Sequence, residues 1–334
     1  MLRIYLDQNK WIDLARAATG KPATAGVHDA LEMCRAAVQS GAASFPLDMY
    51  RYWETSKRGN DRSRDDVVDL MWELSQQHTM ATPVALLDRE IDLALHRRYG
   101  RPELPRSRQV FGVGIQHIVQ GRLELPDIYL SAMFSDGDIP AGVRAQLDQL
   151  VGEIVEEQLL RIGPRTLSRL GYGHSSSDHA ERFVAFENTV AAAISQQRLA
   201  GYAIDVAVRA TDLGDIRPAL VDALDRIDMS YRQFLEHITV GEVMSFMDDL
   251  PTRYVTNVMR SAKHRGKEQK WEPNDFADIL ALPVAAVYCD VIVTEKQWVH
   301  HLRNRKVDQR YTTRLLSNVS DLVSVLVNAP SPTS

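Results

Sequence analysis

Residues 1–17 read MLRIYLDQNKWIDLARA, and this stretch decides the fold class. Leu2, Ile4 and Leu6 alternate with Arg3 and Tyr5, the period-two pattern of a strand with at least one buried face. Ile12, Leu14 and Ala15 then recur at helical spacing. Between the two lies a polar step, Asp7-Gln8-Asn9-Lys10. A strand that passes through so short a turn into a helix is the first half of a β-α unit, and such folds bind ligands at the carboxyl ends of their strands. Asp7 stands at that end. Either Asp7 or Asn9 caps the helix, or Asp7 serves a ligand.

Working outward, VHDALEMCRAAVQSG (27–41) places Val27, Leu31, Cys34 and Val38 on one helical face, with Gly41 as its stop. AASFPLDMYRYWET (42–55) begins extended and turns helical. From about residue 65 to 234 the pattern is mostly helical and amphipathic, and no repeat of fixed period appears. Within it, GYGHSSSDH (171–179) lacks metal-ligand repetition and a nucleophile-elbow pattern, and reads as a loop. Near the other end, WEPNDFADILALPVAAVYCDVIVTEK (271–296) gives a proline-led helix and then a buried strand, VIVT. TRLLSNVSDLVSVLV (313–327) closes with a strand or a helix. Both ends of the chain read as α/β, with a helical middle.

Composition bounds the function classes. The 334 residues are 45% hydrophobic and 25% charged, as in an ordinary globular protein, with length for one large or two modest domains. Two distant cysteines, Cys34 and Cys289, make neither a disulfide framework nor a zinc site. No signal-peptide pattern and no bilayer-spanning run is visible, so a cytoplasmic protein without membrane contact is the expectation. The net charge of −5 argues against non-specific coating of nucleic acid. Charge is nevertheless uneven: residues 253–270, RYVTNVMRSAKHRGKEQK, carry six Lys/Arg against one Glu, while DQLVGEIVEEQ (148–158) is acidic. The basic run is either a solvated helix face or a polyanion-binding stripe.

The acids at element boundaries carry the chemistry. Asp7 ends the first strand, and Glu54 follows the SFPLD segment. Asp275 and Asp278 share a helix face, Asp290 precedes VIVT, and Glu295 follows it. Buried strand-end acids are costly unless solvated, paired or bound to a cation. Several of them converging would repel one another and call for a divalent metal. Hard carboxylate oxygens without Cys/His spacing point to Mg²⁺ or Mn²⁺.

These residues resemble the PIN-domain (PIN-like) nuclease superfamily in three places. The first is a strand ending in D-x-N, here YLDQN. The second is an acid in the helix after the second strand, here Glu54. The third is a helix-start Asp before an apolar helix and a strand ending near T-x-D, here DFADILALPVAAVYCDVIVTEK. The resemblance implies an α/β fold, a Rossmann-like, mostly parallel sheet flanked by helices. That domain would span 1–58 and 235–334 around an all-α insertion, 59–234. It implies metal-binding acids at Asp7, Glu54 and Asp278, with Asp275 as the alternative third. Where the family often has Asp two residues after the threonine, this chain has Lys296, so Glu295 supplies the fourth carboxylate, with Asp290 as second candidate. Asn9 and Thr294 would be supporting groups.

The activity so implied is metal-dependent endonucleolytic hydrolysis of phosphodiesters, RNA favoured over DNA, in which a metal-activated water needs no covalent nucleophile. The alternative is a catalytically weak or inactive PIN-like module that binds nucleic acid or a protein partner. Arg260, Lys263, Arg265, Lys267 and Lys270 are then the expected phosphate contacts, with Tyr254 and Trp271 available to stack on bases. The apolar stripes of the insertion also allow a homodimer.

Overall fold

A computed structural model describes residues 1–119, 141–169, 175–236, 238–266 and 270–328. The chain begins with β1 (Leu2–Leu6), α1 (Gln8–Ala18), α2 (Val27–Gln39), β2 (Ala43–Ser44), α3 (Met49–Ser56) and α4 (Asp61–Ser75). Next come β3 (His78–Met80), α5 (Pro83–Tyr99), β4 (Phe111–Val113) and α6 (Gly114–Val119). A helical run follows: α7 (Ala141–Arg161), α8 (Pro164–Arg169), α9 (Ser175–Gln196), α10 (Tyr202–Asp215), α11 (Arg217–Asp225) and α12 (Tyr231–Glu236). Then α13 (Val240–Asp248), α14 (Pro251–Arg265) and α15 (Pro273–Tyr288) lead to β5 (Val291–Val293). The chain closes with α16 (Lys296–Asn304), α17 (Val307–Tyr311), β6 (Arg314–Leu316), a 3₁₀ turn and α18 (Leu322–Val327).

The main sheet is wholly parallel, in the order β2-β1-β5-β6. Strand β1 therefore lies between the strand that follows it in sequence and one nearly three hundred residues later, with Leu6 opposite Val293. A parallel bridge from Leu47 to Thr79 brings the antiparallel β3–β4 pair to the β2 side. Expected alternation in β1 gives way to burial on both faces, since Ile4, Tyr5 and Leu6 are all inaccessible. Ile4 and Leu6 join the core under α1, α2, α4 and α18. Tyr5 and Ile292 join the opposite core with α14, α15 and α16. A parallel sheet covered on both faces requires this, because its connections lay helices on each side.

The helical middle is less separate than the sequence implies. Helix α4 packs on α1 within the first core, so packing is continuous across residue 58. The segment 59–234 also contains β3 and β4 and is therefore not all-α. A third core joins α5 to α11, α12 and α13 through Ile91, Leu95, Leu220, Phe234 and Phe246. Ser175 opens α9, so 175–179 is helical rather than looped, while 171–174 lies outside the described residues. Cys34 and Cys289 are both buried free thiols. Among the described residues no helix is long and apolar enough to cross a membrane.

Candidate functional site

The order of the strands reverses at β1, and the crevice beyond the carboxyl ends of β1 and β5 is where open α/β sheets place their ligands. Asp7 follows β1 directly, its N–H still donating to the Val293 carbonyl at 3.0 Å. Its Oδ1 accepts from the Gln8 N–H at 2.6 Å, so Asp7 does begin α1. The same oxygen accepts from Arg51 Nη1 at 2.9 Å, and Oδ2 accepts from Thr294 Oγ1 at 2.9 Å. Asp7 thus caps α1 and stands, buried, at the carboxyl end of β1.

Helix α3 brings the second acid. Asp48 caps it, with Oδ1 accepting from the Tyr50 N–H at 2.6 Å and the Arg51 N–H at 3.0 Å. Asp48, Arg51 and Glu54 follow at intervals of three and share a helix face. The Arg51 side chain, fully buried, lies 2.7 Å from Glu54 Oε2 and 3.9 Å from Asp48 Oδ1 in addition to its contact with Asp7. Its guanidinium carbon sits 5.7 Å from the centre of the Tyr5 ring. Gln8 Nε2 donates to Thr55 Oγ1 at 3.1 Å and ties α1 to α3.

Helix α15 brings the third. Phe276, two residues before Asp278, packs edge-on against Tyr50 and Trp53 of α3, at centroid distances of 6.2 and 5.9 Å. Trp298 Nε1, at the second core, donates to Asp278 Oδ2 at 2.8 Å. Asp278 keeps part of its side chain accessible, and its other oxygen takes no hydrogen bond from the described residues. Burial pushes its carboxyl well above the usual range, and the charges of Asp7 and Glu54 push the same way. Glu54 is also raised, first by burial, against the opposing pull of Arg51.

The remaining expected residues divide. Half-buried Glu295 begins α16 and accepts from Asn9 Nδ2 at 3.1 Å, so it borders the crevice. Asp275 is occupied elsewhere: it closes a capping box with Glu272 and pairs with Lys263. Asp290 is on the wrong edge. It precedes β5, beside Arg3, whose N–H donates to its Oδ2 at 2.7 Å. In a parallel pair an acid before one strand and an acid after its neighbour lie at opposite ends, here roughly 10 Å or more apart along the sheet.

The basic run also turns inward. Arg260 is buried, with Nε 2.7 Å from Glu187 Oε1 on α9 and Nη1 3.7 Å from Asp212 on α10. Lys263 pairs with Asp275, and Arg265 with Asp205. These side chains are spent in the helix interfaces and do not form the expected phosphate stripe. Lys267 lies outside the described residues, and Lys270 alone of the five is described and exposed without such a pair. Trp271 is buried edge-on against Phe183, at 5.5 Å, and Tyr254 stacks under Arg310.

The donor set at the crevice is made of hard carboxylate oxygens with no thiolate or imidazole, which suits Mg²⁺ or Mn²⁺. Among the described residues no three His, Cys, Asp or Glu side chains are drawn together as a ready ligand group. Arg51 stands among three of the acids, a placement that no local sequence pattern shows. No family model, curated protein or solved structure matches the chain.

Proposed function

We propose that the crevice at the carboxyl ends of β1 and β5 is the active site of a metal-dependent nuclease hydrolysing phosphodiester bonds, with RNA the favoured substrate. The observation that carries this reading is charge imbalance. Asp7, Asp48 and Glu54 share one guanidinium, and Asp278, which has no ion pair among the described residues, lies within the field of Asp7 and Glu54. A site with that excess favours a cation from solution. The parallel sheet, with its strand order reversing at β1, is consistent with the PIN-like resemblance.

Asp7 and Asp278 would hold the ion, with Glu295 at the rim. Bound there, Mg²⁺ or Mn²⁺ would supply an acidified water and offset charge on the phosphoryl oxygens. Thr294 and Trp298 orient the two carboxylates, and Asn9 orients Glu295. Phosphate contacts fall to cations on the elements that carry the acids: Lys10 in the first turn of α1, Lys57 at the end of α3, and Lys296 opening α16. Lys57 and Lys296 are exposed.

Two observations favour a second reading, an inactive nucleic-acid-binding or protein-binding module. Arg51 already neutralises part of the acid set, and the fourth acid departs from the family pattern. Cleavage of labelled single- and double-stranded RNA and DNA, with Mg²⁺, Mn²⁺ or EDTA, separates the two. Metal-dependent cutting that is lost in Asp7→Asn supports the nuclease. Binding without cutting in every metal supports the inactive module.

A further inference from the structure

The guanidinium of Arg51 is placed as a metal ion would be. It is fully buried, it lies against the carboxylates of Asp7 at the end of β1, of Asp48 at the start of α3 and of Glu54 within it, and its guanidinium carbon is 5.7 Å from the centre of the Tyr5 ring. A buried cation without partners is strongly destabilising, and so are buried carboxylates without a cation. Arg51 and these acids therefore require one another.

We infer that Arg51 is the resident cation of this site: it fills the position between Asp7 and Glu54 that a divalent ion could otherwise take, and it makes Glu54 its own counter-ion. An ion from solution is thereby confined to the side of Asp7 that faces Asp278. The inference rests on the metal-dependent reading for the wild type's own ion, and it goes further by fixing how many ions the site accepts. Two features support the assignment. Asp48 receives the first-turn N–H groups of α3, including that of Arg51, so the arginine's backbone is anchored at the helix start. Asp278 makes no ion pair with Arg51, and its hydrogen bond comes from the neutral indole of Trp298. The guanidinium is thus shared by the α3 acids and Asp7, and the α15 acid is left for solvent.

The test is titration of Mn²⁺ into the nucleic-acid-free protein, by calorimetry and by loss of the free-ion paramagnetic resonance signal. Wild type, Arg51→Gln, Arg51→Lys and Glu54→Gln are compared, with melting in EDTA and in Mn²⁺. Arg51→Gln should bind one ion more per chain than the wild type, and Mn²⁺ should raise its melting temperature. Arg51→Lys, which keeps the charge, should bind as the wild type does. Glu54→Gln should leave wild-type Mn²⁺ affinity within about 3-fold, whereas loss of a true ligand or its support costs about 10-fold or more. A wild type that takes two ions overturns the inference. So does an Arg51→Gln protein with unchanged stoichiometry, or one whose melting temperature Mn²⁺ fails to raise. A wild type that binds none while Arg51→Gln binds one leaves Arg51's role standing and removes the metal reading of the native site.

Discussion

Thr294 Oγ1 donates to Asp7 Oδ2 at 2.9 Å, joining two residues 287 positions apart at the carboxyl ends of neighbouring strands. Thr294 is fully buried and is the partner of that oxygen, so the hydroxyl fixes the carboxylate's plane. Replacing it with the near-isosteric valine leaves a buried charged oxygen unpaired. Thr294→Val should lose about 2 kcal/mol in urea unfolding, the cost of a hydrogen bond to a charged group, and Thr294→Ser should recover most of it. Equal stability of valine and threonine would show that the hydroxyl does not hold Asp7.

Asp278 should behave in the opposite way. Its raised pKa means that the folded protein holds the proton more tightly than the unfolded chain does. Stability is therefore lost as pH rises from the ordinary carboxylate range through that raised value. Asp278→Asn keeps an oxygen for Trp298 and removes the charge. In EDTA it should melt higher than the wild type, and the gain should be larger at pH 8 than at pH 5. A lower melting temperature at both would count against the repulsion described here.

Glu90 supplies a separate pH dependence. Buried on α5, it accepts from the Thr252 N–H and hydroxyl at the start of α14 and from Tyr288. Burial pushes its pKa up to about 7. Because the folded value exceeds the unfolded one, this group's contribution is greatest in acid. It falls by about 3 kcal/mol as pH rises from the ordinary glutamate range through about 7. Glu90→Gln should flatten that slope in denaturant titrations between pH 5 and pH 8.

Arg260 should prove structural. With Glu187, Asp212 and His264 it forms a buried network between α14 and the helices before it. Arg260→Ala should destabilise by about 3 kcal/mol, since the buried Glu187 loses its guanidinium partner and keeps only His264. Lys57→Glu and Lys296→Glu should instead weaken nucleic-acid binding with little effect on melting. Retained stability in Arg260→Ala alongside lost binding would restore the basic stripe as the contact surface.

The parts of the site legible in the sequence are those that follow from one strand or one helix. Asp7 could be placed because a buried strand stops there, and Glu54 and Asp278 because each falls on a helix next to one. The spacing Asp48, Arg51, Glu54 was equally legible, but the contact from Arg51 to Asp7 needs β1 and α3 side by side. Asp290 is a matter of direction: an acid before a parallel strand stands at the opposite sheet edge from one after it. The basic run misleads for a different reason. Periodicity tells which face of α14 carries Arg260 and Lys263, and nothing local tells that Glu187, Asp212 and Asp275 wait opposite.

The adjacency of β1 and β5 sets a clock on synthesis. At about 5–20 residues per second, the partner for Leu6 leaves the ribosome roughly 15–60 s after Leu6 itself. Through that interval an apolar strand has one lateral edge open, the kind of edge that pairs wrongly with other chains. Protease resistance at residues 2–6 in stalled nascent chains should appear only once β5 has emerged. The nascent protein thus depends on whatever shields that edge, helices or chaperones, for most of its birth.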